Sequence, residues 1–197
     1  MSLRPSMYRR RILAALAACA VPAARAAESP WPLLQRGGYV ILMRHAATVP
    51  GIGDPPGFRL GACATQRNLS QAGRDDAARI GAALRKNAVP IGPVLSSRWC
   101  RCLDTARLAF GRVEPSPMID SMFQDDEAAR ERKLAQLRTY LAQYKDAGNL
   151  VLVTHDVNIR ALVGQYLEQG EFVVAARSAD GGLRIEATIA TAQLGNT

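Results

Sequence analysis

The stretch Val40-Ile41-Leu42-Met43-Arg44-His45-Ala46-Ala47-Thr48 decides how this chain is read. Four uninterrupted apolar residues, Val40 to Met43, are the pattern of a strand buried on both faces. Arg44 and His45 follow at its C-terminal end. Open α/β sheets bind ligands just beyond the C-terminal ends of their strands, so a cation and an imidazole stand where a small anion can sit. The pattern recurs at Leu150-Val151-Leu152-Val153-Thr154, which delivers His155 and Asp156. The chain has 2 histidines, and each leaves a hydrophobic strand. If the two strands lie side by side, both imidazoles face one pocket.

Outward from this strand, read as Tyr39–Met43, Pro30 to Arg36 forms a short entry helix broken by Gly37-Gly38. A long loop, Ala46 to Asn68, leaves the candidate site directly, and a loop of this length is usually functional. Ser70 is placed to cap a helix whose apolar residues Ala77, Ile80, Gly81, Leu84 and Ala88 recur at helical spacing. Pro90 and Pro93 bracket its exit, before a short strand at Val94–Ser96. A second helix spans Ser97–Phe110, with Trp99, Cys102, Leu103, Ala106 and Phe110 facing inward and Gly111 as its stop. Asp125, Asp126 and Glu127 occupy the first turn of a helix running to about Tyr144, where acids complement the dipole. A further helix covers Asp156–Leu167. Phe172–Ala175 and Leu183–Ile189 pair as strands across Asp180-Gly181-Gly182, and Ala190–Thr197 is a frayed tail. Strands alternating with helices imply a layered α/β sheet, mostly parallel, with an antiparallel edge.

The 197 residues suit one domain with a sizeable core. The net charge of +8 is misleading as a guide to partners. Residues 1–26 carry five arginines and no acid, and without them 20 basic and 17 acidic residues remain, a net of +3. No basic cluster is interleaved with aromatics, so nucleic-acid binding is not expected. Residues 1–26 read as a signal peptide: a basic Arg9-Arg10-Arg11 region, an apolar Ile12–Val21 segment, and Ala24-Arg25-Ala26 as the cleavage site. The mature domain is then 27–197, periplasmic or secreted. Leu16-Ala17-Ala18-Cys19 also resembles a lipobox, which would anchor the chain to a membrane through Cys19, and the arginine run resembles a weak twin-arginine signal. Export implies an oxidising compartment, so Cys63 pairs with Cys100 or Cys102 and leaves one free thiol.

These residues permit phosphoryl transfer. That reaction needs positive charge around three equatorial oxygens and an in-line nucleophile. Arg44 and Arg101 supply planar forks for phosphate oxygens. Ser97, Arg101 and Thr105 recur every four residues as a polar stripe on the 97–110 helix. A neutral His45 is a nucleophile, and Arg44 favours the neutral form. His155 donates to a phosphoryl oxygen. Asp156, or one of Asp125, Asp126 and Glu127, protonates the leaving alkoxide. No metal and no cofactor is required. Singly, each of these residues is as well explained as a structural or solvated group. Their joint occurrence carries the reading.

Four motifs in order resemble the histidine phosphatase superfamily, also called phosphoglycerate mutase-like. They are Arg44-His45-Ala46, Leu69-Ser70-Gln71-Ala72-Gly73, Ser96-Ser97-Arg98-Trp99-Cys100-Arg101-Cys102-Leu103-Asp104-Thr105-Ala106, and Val153-Thr154-His155. The resemblance spans roughly residues 38–190. It implies a three-layer α/β/α sandwich with a mostly parallel mixed sheet. It also implies a phosphohistidine on His45, held by Arg44, Arg101 and His155 and hydrolysed by water. Ala46 stands where the family has glycine, which would crowd the backbone near the phosphate; Arg98 and Cys102 replace Pro and Ala. His155-Asp156-Val157-Asn158 resembles the acid phosphatase and phytase branch, where the aspartate donates the proton. The loop Gly57-Phe58-Arg59-Leu60-Gly61-Ala62-Cys63-Ala64-Thr65-Gln66-Arg67-Asn68 looks most like exported bacterial phosphatases, one of which acts on heptose phosphates of the lipopolysaccharide core. A small phosphorylated substrate, such as an envelope phospho-sugar, is therefore expected, with Thr48, Arg59, Arg67 and Ser97 as binding residues. A mutase-like phosphotransferase and a non-catalytic phospho-ligand-binding protein are the alternatives.

Overall fold

In the computed structural model, residues 29–194 are described; the expected signal peptide at 1–26 and Cys19 lie outside them. Each central strand divides its side chains between two cores. β1 (Val40–Arg44) sends Ile41 and Met43 to one face and Val40 and Leu42 to the other. β4 (Asn149–Thr154) does the same with Val151 and Val153 against Leu150 and Leu152. Successive strand residues point to opposite faces, so a sheet covered on both sides needs these unbroken apolar runs. One core is closed by Leu34 of α1 (Trp31–Gln35), Ile80 and Leu84 of α2 (Gln71–Lys86), and Cys102 and Ala106 of α3 (Cys100–Phe110). The other is closed by Leu137 and Leu141 of α4 (Glu127–Gln143) and Ile159 of α5 (Asp156–Val163). The expected three-layer α/β/α sandwich is thus the fold of the described residues.

With β2 (Ile91–Ser96), β3 (Glu114–Pro115), β5 (Phe172–Arg177) and β6 (Leu183–Ile189), the six strands run in the order β3-β2-β4-β1-β5-β6. β3, β2, β4 and β1 pair in parallel, and β5 is antiparallel to both its neighbours. β6 lies at the edge and alternates partly buried with exposed residues until the buried Ile189, as expected for a strand with one wet face.

Several expected boundaries move, each for a physical reason. β2 starts at Ile91, so Pro93 lies inside it, where the ladder to β4 is irregular between Ile91 and Val94; proline has no N–H to donate. α3 starts at Cys100 rather than Ser97. The Ser97 amide still donates to Val153 O (2.9 Å), and the Arg98 amide donates to Asp120 Oδ1 (2.8 Å). Asp126 caps α4 through Ala129 N, so only Glu127 of the three acids is in its first turn. α5 stops at Gly164, a left-handed residue with φ of 70°, instead of reaching Leu167. The tail is not frayed as far as it is described: Thr191–Leu194 forms a 3-10 turn and Leu194 packs into the first core.

The cysteine alternatives resolve to Cys63–Cys100, with Cys102 free and buried. The bridge joins residues 37 apart and ties the 46–68 loop to the start of α3. Closing a loop of that length stabilises the fold by about 4 kcal/mol in the chain-entropy account. Replacing both cysteines by serine is expected to lower the denaturant midpoint by a corresponding amount in urea titrations at unchanged pH.

Candidate active site

The β1–β4 register sets the two histidines side by side. Arg44 is opposite Thr154, so the next residue on each strand is a histidine. The His45 amide continues the ladder to Thr154 O (3.0 Å). The ring centroids lie 5.6 Å apart in an edge-on arrangement, and the residues are 3% and 5% exposed.

The backbone beyond His45 is held from behind by α2. Ser70 donates to Ala47 O through its amide (3.0 Å) and its hydroxyl (3.2 Å), while Ser70 Oγ accepts from Gly73 N (3.1 Å). A Cβ on Gly73 would lie 1.9 Å from Ala47 O, so this approach requires glycine. Ala46 does not crowd the site as expected. Its methyl joins a small buried cluster with Leu69 and Ala77, and its amide donates to Thr105 Oγ1 (3.0 Å).

His45 Nδ1 is 2.9 Å from Ala46 O. A carbonyl only accepts, so Nδ1 carries the proton and Nε2 keeps a bare lone pair. Burial lowers the pKa of His45 to about 3, opposed by the Ala46 hydrogen bond and helped by the charges of Arg101, Arg44 and Arg67. Burial likewise holds His155 well below its ordinary value. Its Nε2 is 2.8 Å from Ser97 Oγ and 3.5 Å from Cys102 Sγ, whose own pKa burial raises to about 12.

Three arginines surround the imidazoles. Arg44 donates through NH1 to Leu167 O (2.6 Å) and to Tyr166 OH (3.2 Å). Arg101, 5% exposed, donates through NH1 to Asp54 Oδ1 (2.7 Å). Each has a buried Nε with no partner among the described residues. Arg67 donates through Nε to Gly53 O (2.8 Å) and through NH1 to Thr48 Oγ1. Three guanidiniums against the one Asp54 carboxylate leave two positive charges beside a neutral imidazole.

Arg44, His45, Arg67, Arg101, His155 and Asp156 all line one cleft of about 990 Å³. Thr48 and Ser97 are buried supports outside its lining: Thr48 holds Arg67, and Ser97 holds His155. Arg59 is corrected. It is exposed and off the cleft, because its backbone is turned by Thr65 and Gln66. Its neighbours Phe58 and Leu60 line the cleft instead. Of the acids, Asp125 lines the cleft but pairs with Lys133 (2.6 Å), while Asp126 and Glu127 stay on the exposed start of α4. Asp156 Oδ2 accepts from Arg160 Nε (2.8 Å), and its buried Oδ1 has no partner among the described residues.

Sequence reasoning missed Asp54, Trp99 and Asp120 at the cleft. Asp120 takes Arg98 N, Nε and NH2. Asp54 had a readable signal, since it is the one acid in the 46–68 loop.

No protein-family profile and no curated protein matches this sequence. Solved structures do. The protein histidine phosphatase SixA complexed with tungstate is 15% identical at a TM-score of 0.54, over 80% of this chain and 99% of its own. The fold is that of the histidine phosphatases. Alpha-ribazole phosphatase from Shigella flexneri is 19% identical at 0.53, over 75% of this chain and 95% of its own. Phosphoserine phosphatase from Entamoeba histolytica, in complex with 3-phosphoglyceric acid, is 13% identical at 0.55, over 79% and 98%.

The depressed histidine pKa makes a stability prediction. Folded His45 binds its proton only near pH 3, whereas the unfolded residue binds it near 6.5. The unfolded state therefore takes up more protons between these values, and stability falls as pH drops through that window. At roughly 1.4 kcal/mol per unit, the loss attributable to His45 is on the order of 5 kcal/mol. Urea denaturation at stepped pH is expected to show this fall, and His45→Gln is expected to remove the His45 share of it and leave that of His155.

Proposed function

We propose that this chain is an exported phosphomonoesterase that passes the phosphoryl group of its substrate to His45 and then to water. The observation that carries the reading is the bare Nε2 of a neutral, buried His45 beside three guanidiniums and one carboxylate. The surplus of two positive charges matches a phosphate monoester dianion. The partnerless Nε groups of Arg44 and Arg101 suit equatorial oxygens.

In the first step the Nε2 lone pair attacks phosphorus in line, the P–O ester bond breaks, and the departing oxygen takes a proton from an acid. Asp156 is that acid: it follows His155 directly and pairs with Arg160 through Oδ2 alone, so Oδ1 has no partner among the described residues, while Asp54 and Asp120 have both oxygens engaged and Asp125 sits on Lys133. In the second step the Asp156 carboxylate takes a proton from water, the oxygen attacks phosphorus, and the P–N bond returns its electrons to Nε2. His155 donates through Nδ1–H in the tautomer whose Nε2 accepts from Ser97.

The substrate is a small phosphorylated molecule, and an envelope phospho-sugar fits this reading. The cleft extends well past the histidines, with Phe58, Leu60, Trp99 and Phe123 in its walls and cationic Arg98 and Arg132 beside them. Export is supported by the signal-like residues 1–26 and by the Cys63–Cys100 bridge, which suits an oxidising compartment. Lipidation at Cys19 is the alternative mode of localisation.

The test is rapid quenching of residues 27–197 with p-nitrophenyl phosphate in the absence of metal. Acid-labile phosphate on His45 is expected, with turnover lost in His45→Ala. No phosphoenzyme and no turnover, with orthophosphate still bound, would instead favour a phospho-ligand-binding protein. The proton donor has its own signature. Asp156→Asn is expected to lower kcat on an alkyl phosphate by about 10²-fold or more. Its effect on the rate of phosphoenzyme formation from p-nitrophenyl phosphate should be much smaller, because that leaving group departs without help, while hydrolysis of the phosphoenzyme should slow for both substrates.

A further inference from the structure

Asp54 stands out in the cleft because it touches the other residues of the site from a loop that otherwise lacks acids. Its Oδ1 accepts from Arg101 NH1 (2.7 Å) and from the Arg67 amide (2.9 Å), and its Oδ2 accepts from Trp99 Nε1 (2.9 Å). All three donors belong to residues that line the cleft. The Arg101–Asp54 pair is buried, with side chains 6% and 7% exposed. A carboxylate beside a phosphate site repels the substrate, so its placement there needs a reason.

We infer that Asp54 is a positioning residue, which fixes the plane of the Arg101 guanidinium so that it meets the phosphoryl group in the transition state. This rests on the phosphatase reading above. A guanidinium is planar, and Arg side chains are long and rotamer-rich. Asp54 Oδ1 is the short contact on its NH1, which also reaches Arg67 O at 3.5 Å, and the start of α3 holds its backbone. Asp54 is itself fixed, because Trp99 and the Arg67 amide donate to it as well. Trp99 in turn stands edge-on to His155 with centroids 5.4 Å apart. Arg67 closes the arrangement by donating to Gly53 O beside Asp54. Burial pushes the Asp54 carboxyl up, but the bonds from Arg67 and Arg101 outweigh it, so the group stays ionised.

The role predicts a split between binding and turnover. Asp54→Asn keeps the side-chain volume and removes the charge, leaving three guanidiniums unopposed. Orthophosphate should then inhibit at least as strongly as in wild type. Arg101, left with a neutral amide oxygen and the Arg67 carbonyl at 3.5 Å in place of an ion pair, should lose orientation in the transition state, so kcat on p-nitrophenyl phosphate should fall by tenfold or more with KM unchanged or lower. Asp54→Ala combined with Arg101→Ala should match Arg101→Ala alone within about twofold in kcat/KM, because Asp54 acts through Arg101. Asp54→Asn carries the test if the alanine variants do not fold. Wild-type turnover with unaltered kcat in Asp54→Asn overturns the assignment and leaves the phosphatase reading standing. Joint loss of kcat, orthophosphate inhibition and melting temperature makes Asp54 a loop anchor and also overturns it. Wild type that neither turns over nor binds orthophosphate overturns the phosphatase reading and the role of Asp54 together.

Discussion

The parallel pairing of β1 with β4 is the constraint on which the rest depends. It places Arg44 opposite Thr154 and therefore His45 beside His155. Side chains alternate faces along a strand, so a one-residue slip would send Ile41 and Met43 to the opposite core and break the alignment of the histidines. Fold stability and site geometry are in this sense one requirement. The same burial that holds the sheet together keeps both imidazoles uncharged, which a nitrogen nucleophile needs.

The price of that environment is paid in cations. A buried guanidinium is costly unless it has partners. Arg44 finds a backbone carbonyl at Leu167, which is free because Gly164 has already ended α5. Arg101 finds Asp54 instead. One arginine is held by a neutral dipole and the other by a full charge, and that difference sets the net positive field at two charges rather than three.

The sheet was legible because its physics is local: β1 and β4 are unbroken apolar runs, and β6 largely alternates. Ser70 and Gly73 were also legible, as a cap and a helix start, though the reason for Gly73 is its contact with Ala47 O across 26 residues. The Ser97-Arg101-Thr105 stripe is buried and faces the site as its spacing implied. Its first member, however, is still part of a strand ladder, which no helical periodicity reveals. Arg59 and Asp54 show the limit. Both lie in a loop whose course is set by the disulfide and by hydrogen bonds within and beyond it, so composition marks Asp54 as the lone acid but does not say which side chain turns inward.

Cys102 has a consequence of its own. Three cysteines lie among the described residues, and two of them are two residues apart, an invitation to scrambled oxidation. On α3 those two positions lie roughly 200° apart around the axis. Cys100 therefore faces the 46–68 loop and Cys63, while Cys102 is sealed in the core against Val153 and Ile80. Once α3 has formed, only one thiol can meet an oxidant or a partner. The secondary structure itself chooses the correct bridge, and the surplus thiol is kept from exchange by packing.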